Sequence, residues 1–194
     1  MQQYSYDPIA TAYLAERERL KSGKYVQKLL KLLPKHATIL DVGCGAGVPV
    51  DDLLLKAGHT VLGIDNSSEQ IRLARGRCPG GEYAVRDMRE LRVGEYRDDA
   101  VVSFYALFHV PRGEHARILS VWRSYLPKGG YLLATFGDRE WEGEHELYGT
   151  TVWSSQWGRP KNRVLVERAG FEVIVDEVDR SGGESHQVIL AKAR

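Results

Sequence analysis

The chain has few of the features that would tie it to a special environment. It holds two cysteines, Cys44 and Cys78, among 194 residues. Two thiols make no disulfide framework, which points to a reducing compartment and a cytoplasmic protein. No histidine pair and no Cys-x-x-Cys gives metal-ligand spacing, so no metal is expected. Charge of one sign is missing as well: 27 basic against 26 acidic side chains leave a formal net charge of +1. That balance gives no global attraction to nucleic acid or to an anionic membrane. The longest apolar stretch, 100–110, is interrupted by Ser103 and His109 and is too short to span a bilayer. Residues 1–7 lack a basic region and an apolar core, so no signal peptide is expected. Internal repeats, low-complexity segments and dividing linkers are also absent. What remains is one globular domain over 1–194, with 43% hydrophobic and 27% charged residues.

What is present begins with residues 38–47. Ile39, Leu40 and Val42 read as a buried strand, which breaks into Gly43, Gly45 and Gly47 on alternate positions. Pro49 then opens a helical pattern through Leu53, Leu54 and Ala57, closed by Gly58. Such a turn lets a ligand approach bare backbone, because glycine has no Cβ and tolerates positive φ.

Upstream, Asp7-Pro8 suits the start of a first helix, with Ile9, Tyr13 and Leu20 as a sparse apolar stripe. A second helix, 25–33, puts Val26, Leu29, Leu30 and Leu33 on one face and stops at Pro34. Downstream, 59–65 reads as a second strand ending in Asp65, and Ser67 with Gln70 fits a capping box for the next helix. Residues 83–87 form a third strand ending in Asp87, and 100–104 a fourth. A helix over 111–125 and the turn 127–130 lead to a fifth strand, 131–136. Residues 139–158 show no clear period. A helix near 161–169 precedes two strands, 171–175 and 187–191, which read as an antiparallel pair. Strands alternating with helices require a mostly parallel sheet covered on both faces. Ligands bind such sheets outside the carboxyl ends of the strands. Asp41, Asp65 and Asp87 fall at or near three such ends.

A dinucleotide fingerprint is G-x-G-x-x-G. Here the pattern is G-x-G-x-G, and Val48 stands where that fingerprint wants glycine. A nicotinamide-dependent oxidoreductase is therefore disfavoured. On these residues the sequence resembles the class I S-adenosylmethionine-dependent methyltransferases. Residues 39–47 look like their motif I, 63–65 like their ribose-binding acid, 86–88 like their adenine-binding segment, and 126–133 like their entry to strand five. The resemblance runs from Tyr6 to Lys192. It implies an α/β, doubly wound, seven-stranded Rossmann-like sheet with an antiparallel last strand and an N-terminal helical lid. By it, residues 1–37 are the N-terminal helices, 38–137 the cofactor-binding core, and 138–194 the acceptor-side segment and terminal hairpin. The implied cofactor is S-adenosyl-L-methionine. Its binding residues would be drawn from Tyr13, Asp41, Gly43, Cys44, Gly45, Gly47, Asp65, Asn66, Asp87, Met88 and Tyr105. Asp41 would brace the loop amides or reach the cofactor amine through water. Helix capping is the competing role for Asp65 and Asp87, and it is compatible with ribose binding at Asp65.

The acceptor is less legible. Residues 103–111, after strand four, lack the Asp/Asn-Pro-Pro-aromatic pattern that grips an extruded base, so a base-flipping enzyme is not expected. His109 is the base candidate by location, with packing ahead of a helix as its alternative role. His145 and His186 are further candidates. Residues 139–158, with Trp141, Tyr148, Trp153, Trp157 and four glutamates, would suit a cationic acceptor or else be solvated and core. The expected partner is a small-molecule methyl acceptor, without nucleic acid or membrane. A non-catalytic module that binds S-adenosylmethionine or its product remains the alternative.

Overall fold

In the computed structural model the described residues are 23–147, 149–181 and 185–194. The expected first helix, with Tyr13, and the turn at Gly182-Gly183 lie outside them. The chain runs α1 (Gly23–Leu30), β1 (Thr38–Val42), α2 (Val50–Lys56), β2 (Thr60–Asp65), α3 (Ser68–Arg77), β3 (Glu82–Val85) and β4 (Ala100–Ser103). It continues with α4 (His115–Tyr125), β5 (Tyr131–Gly137), β6 (Trp141–Leu147), β7 (Thr150–Gln156), α5 (Arg159–Arg168), β8 (Phe171–Asp179) and β9 (His186–Ala193).

Seven strands form one sheet in the order β3-β2-β1-β4-β5-β9-β8. The pairings from β3 through β5 are parallel, and β9 is antiparallel to both of its neighbours. The strand order reverses between β1 and β4, so β1 leads outward to β2 on one side and β4 on the other. This is the switch point, and the glycine turn leaves β1 there.

Period-two alternation divides the core. Ile39, Val61, Ala100, Val102, Val188 and Leu190 bury one face of the sheet against Tyr25, Val26 and Leu29 of α1 and Leu54 of α2. Leu40, Val42, Val101, Ile189 and Ala191 bury the other against Ile118, Leu119 and Trp122 of α4 and Val166 of α5. The Ser67 hydroxyl accepts the Gln70 amide at 3.1 Å, which caps α3. No helix among the described residues is long and apolar enough to cross a membrane.

The segment without a clear period forms a second, two-stranded antiparallel sheet, β6-β7. Its alternation was carried by charge instead of apolar side chains, with Glu142, Glu144 and Glu146 on one face. Glu140, Glu142 and Glu146 are bonded by neighbouring side chains. Arg112 bonds Glu140 at 2.7 Å and lies 3.2 Å from Glu142, while Ser155 and Thr151 donate to Glu142 and Glu146, each at 2.8 Å. The Arg112 contacts, with Trp157 Nε1 donating to Arg112 O at 3.0 Å, dock the hairpin on the segment after β4. The four glutamates, expected either to suit a cationic acceptor or to be solvated, are all exposed, and Glu140 and Glu142 also anchor the hairpin to Arg112.

Candidate functional site

The glycine turn is shaped by what surrounds it. Gly43, Gly45 and Gly47 all have positive φ, at 76°, 54° and 78°. A Cβ on Gly43 would lie 2.3 Å from the Ala106 Cβ, so the turn can pack on the segment leaving β4 only as glycine. The same Cβ would lie 3.6 Å from Met88 Cε, which brings the first turn, the segment after β3 and the segment after β4 to one place.

The turn's amides are engaged inside the fold. Gly43 and Cys44 donate to Ile64 O at 2.8 and 3.0 Å, and Gly47 donates to Cys44 O at 3.0 Å. Gly45 donates to Asp65 Oδ2 at 3.0 Å, while Ser67 N donates to Asp65 Oδ1 at 2.9 Å. Asp65, half-buried at the end of β2, therefore has both oxygens oriented by backbone bonds. Asn66 is exposed beside it. None of the bonds given for these amides goes to Asp41.

Asp41 is buried, and its Oδ1 has no hydrogen-bond partner of good geometry. Burial, then the Asp51 carboxyl facing it, hold it well above the usual carboxylate range. Asp51, in the first turn of α2, is pushed up to about 7 by burial, with Asp41 and Tyr83 beside it pulling the other way. Among the described residues no cation figures among the groups that shift either acid. Cys44 is likewise raised by burial and then by these acids, so its thiol stays protonated. Asp51 and Tyr83 were not singled out from the sequence. The available signal was an acid at Asp51 on the same helical face as Leu54.

Asp87 takes up the capping role. Its Oδ1 accepts the Arg89 amide at 2.8 Å, and the Arg89 guanidinium bonds its Oδ2 at 2.9 Å through Nε. Burial raises this carboxyl, and the Arg89 bonds more than offset it, leaving it below the ordinary range. Met88, half-buried, follows directly.

On the other side of Ala106 lies an aromatic and imidazole cluster. Tyr105 is held at φ 56°, a conformation a tyrosine rarely adopts, and its amide donates to Thr135 Oγ1 at 2.5 Å. His186, the first residue of β9 and the register partner of Gly137, has its ring edge-on to Tyr105 at 4.9 Å and stacked on Phe108 at 5.3 Å. Phe108 also meets the His109 ring at 4.7 Å. His109 Nδ1 lies 3.2 Å from Trp153 O. A carbonyl only accepts, so Nδ1 carries the hydrogen and Nε2 is the acceptor nitrogen of the neutral ring. His145 is exposed on β6, where it pairs with Val152 of β7. Two of the three histidines are thus brought together, beside the glycine turn. Tyr13 lies outside the described residues.

A family model described as a methyltransferase domain matches residues 39–130. Over 137 residues the chain is 29% identical to a cyclopropane-fatty-acyl-phospholipid synthase of Escherichia coli (strain K12), covering 66% of this chain and 35% of that one. It thus spans about a third of that relative's length. A solved structure of a SAM-dependent methyltransferase from Methanosarcina mazei shares the fold at TM-score 0.73 and 25% identity, over 86% of this chain and 96% of the other. The fold also matches the 1,6-didemethyltoxoflavin-N1-methyltransferase of Burkholderia thailandensis, solved with bound 1,6-didemethyltoxoflavin and S-adenosylhomocysteine, at TM-score 0.74 and 19% identity, over 97% and 84%.

Proposed function

We propose that this chain, which belongs to the class I S-adenosylmethionine-dependent methyltransferase family, transfers a methyl group to an oxygen, nitrogen or sulfur atom of a small molecule. The observation that carries the reading is the character of the glycine turn. Its amides at Gly43, Cys44, Gly45 and Gly47 are engaged within the fold, while the groups at its base are acids. A pyrophosphate needs donors and positive potential there. A set of acids that gains negative charge as it loses protons fits a cationic cofactor instead.

S-adenosylmethionine supplies, when bound, an electrophilic methyl group on a positively charged sulfur. The chain's own residues divide the remaining work. Gly43, Cys44, Gly45 and Gly47 would bound the methionine part, Asp65 would accept from the ribose hydroxyls, and Met88 would pack on the adenine. Because Asp87 is already engaged by Arg89, its contact with the adenine amine would be shared with that pair. Tyr105 and Ala106 would meet the reacting end. Positioning the two reactants and excluding water supply much of the acceleration, on the order of 7–11 kcal/mol for well-oriented partners. The aromatic cluster of Tyr105, Phe108 and His186, under the β6-β7 hairpin, supports a compact organic acceptor. So does the small molecule bound to the Burkholderia thailandensis neighbour. His109, with Nε2 as its acceptor nitrogen, would remove the proton from an acceptor that begins protonated.

Calorimetry with S-adenosylmethionine and with a nicotinamide dinucleotide tests the donor. Binding of the dinucleotide alone would overturn the reading. A screen of small acceptors with radiolabelled donor tests the reaction. With an acceptor in hand, His109→Ala lowers turnover about a hundredfold, at the lower end of the range for a lost base. Its donor affinity stays within twofold. Equal turnover for the two proteins across pH removes His109 from the chemistry.

A further inference from the structure

Asp51 is a fully buried acid whose side chain neither the glycine turn nor its own helix uses. Its neighbour Asp52 faces outward and pairs with Lys56 at 2.8 Å, as an acid in the first turn of a helix ordinarily does. Asp51 turns inward. The Cβ that Gly47 lacks would sit 3.1 Å from Asp51 Oδ2, 3.2 Å from Cys78 Sγ and 3.3 Å from Tyr83 Oη. Both Asp51 oxygens, Asp41 Oδ1 and Tyr83 Oη are buried without a hydrogen-bond partner of good geometry. Tyr83 itself is 8% exposed. A carboxylate cannot donate, and the Tyr83 hydroxyl brings a single donor to Asp51, so the two facing carboxyls satisfy one another only when one is protonated.

The groups acting on the pair come from every neighbouring element. Asp65 acts from β2, Tyr83 from β3, the Cys44 thiol from the turn and the Cys78 thiol from the end of α3. On α2 the Lys56 ammonium is already paired with Asp52. Asp41 is raised by burial and by Asp51, and Asp51 by burial to about 7.

We propose that Asp51, acting through Asp41, is a positioning residue of the donor site: the two carboxyls share a proton in the ligand-free protein, and a cationic ligand at the glycine turn expels it. The O–H bond of the shared carboxyl breaks, the proton passes to the buffer, and the ligand's positive charge offsets the carboxylate left behind. The proposal rests on reading the turn as the S-adenosylmethionine site. It explains why a costly acid pair lies beneath a cofactor loop. The ligand supplies the cation that the described residues around the pair do not.

The test is calorimetry of S-adenosylmethionine binding to the full chain at pH 6.5, in two buffers of different ionisation enthalpy. The ligand's ammonium, with an ordinary pKa of about 7.7–8.0, keeps its proton there. Protons released at that pH therefore come from the protein. Wild type is expected to release roughly one proton, with affinity rising as much as tenfold per pH unit toward neutrality. Asp51→Asn is expected to release at most half as much, with the midpoint of its affinity profile at least one pH unit lower. A binding enthalpy in wild type that is the same in both buffers overturns the shared proton and leaves the donor site standing. An unmoved midpoint in Asp51→Asn does the same for Asp51. No binding of the donor to wild type overturns the donor site and this inference together.

Thermal unfolding supplies a second readout. A carboxyl raised in the folded state binds more protons there than in the unfolded chain, so its contribution to stability falls from about pH 4 to 7 and is level above. Asp51→Asn is expected to lose less melting temperature than wild type over that interval, and an equal loss overturns the proposal. Should the variant fail to fold, the wild-type proton count decides alone.

Discussion

Gly43→Ala weakens donor binding by roughly 30-fold or more. Gly43 sits at φ 76°, where an L-residue costs about 1–2 kcal/mol. Its new methyl group would lie 2.3 Å from the Ala106 Cβ, a clash that backbone must relieve because neither side chain can rotate away. Overpacking of this kind costs about 1–3 kcal/mol. Together these reach roughly 2–5 kcal/mol, a loss of 30-fold to several thousandfold if borne by the loop. The added residue Ala106→Gly removes the clash and leaves the φ cost, so the double variant recovers part of the affinity. Calorimetry beside a thermal melt separates loop movement from unfolding. A single variant that binds within threefold of wild type and melts at the same temperature would show that the turn is not so constrained.

Asp65→Ala is the second large effect. The substitution removes the acceptor of the Gly45 amide and of the Ser67 amide, and with them the carboxylate proposed to hold the ribose. Hydrogen bonds to a charged group contribute about 1.5–3 kcal/mol each. Losing the ribose contacts lowers donor affinity at least a hundredfold, and losing the two backbone bonds lowers the melting temperature by several degrees. Asp65→Asn keeps the shape and one carbonyl acceptor, and is expected to fall between. Asp87→Ala makes a contrast. Its carboxylate is engaged by Arg89 and caps the short helical turn after it, so its affinity loss is smaller than that of Asp65→Ala. Unchanged donor affinity in a folded Asp65→Ala would remove Asp65 from the site.

These two residues also mark how far the sequence could be read. Gly43 and Asp65 were legible because their signals are local. A glycine between strand and helix and an acid ending the next strand need only spacing to be recognised. The alternating strands and helices, and the terminal antiparallel pair, follow from periodicity in the same way. The β6-β7 hairpin is not legible because the residues that alternate along it are glutamates, whose partners Ser155 and Thr151 meet them only once the chain has turned back, and Arg112 only once the segment after β4 packs there. For His186, 77 positions after His109 in the sequence, only strand order puts both rings on Phe108.

What the sequence by itself determined is therefore the sheet, the turn and the kind of cofactor the turn suits, since each depends on residues within a few positions of one another. What only the tertiary structure decided is the company each side chain keeps. Whether Asp51 lies inside with Asp41 and Tyr83 or outside with Asp52 is a matter of helix phase against the sheet. Whether Asp87 is bonded by Arg89 depends on the turn that follows β3. A side chain's charge state and partners are set by burial and by groups brought from other strands, and those contacts exist only in the folded chain.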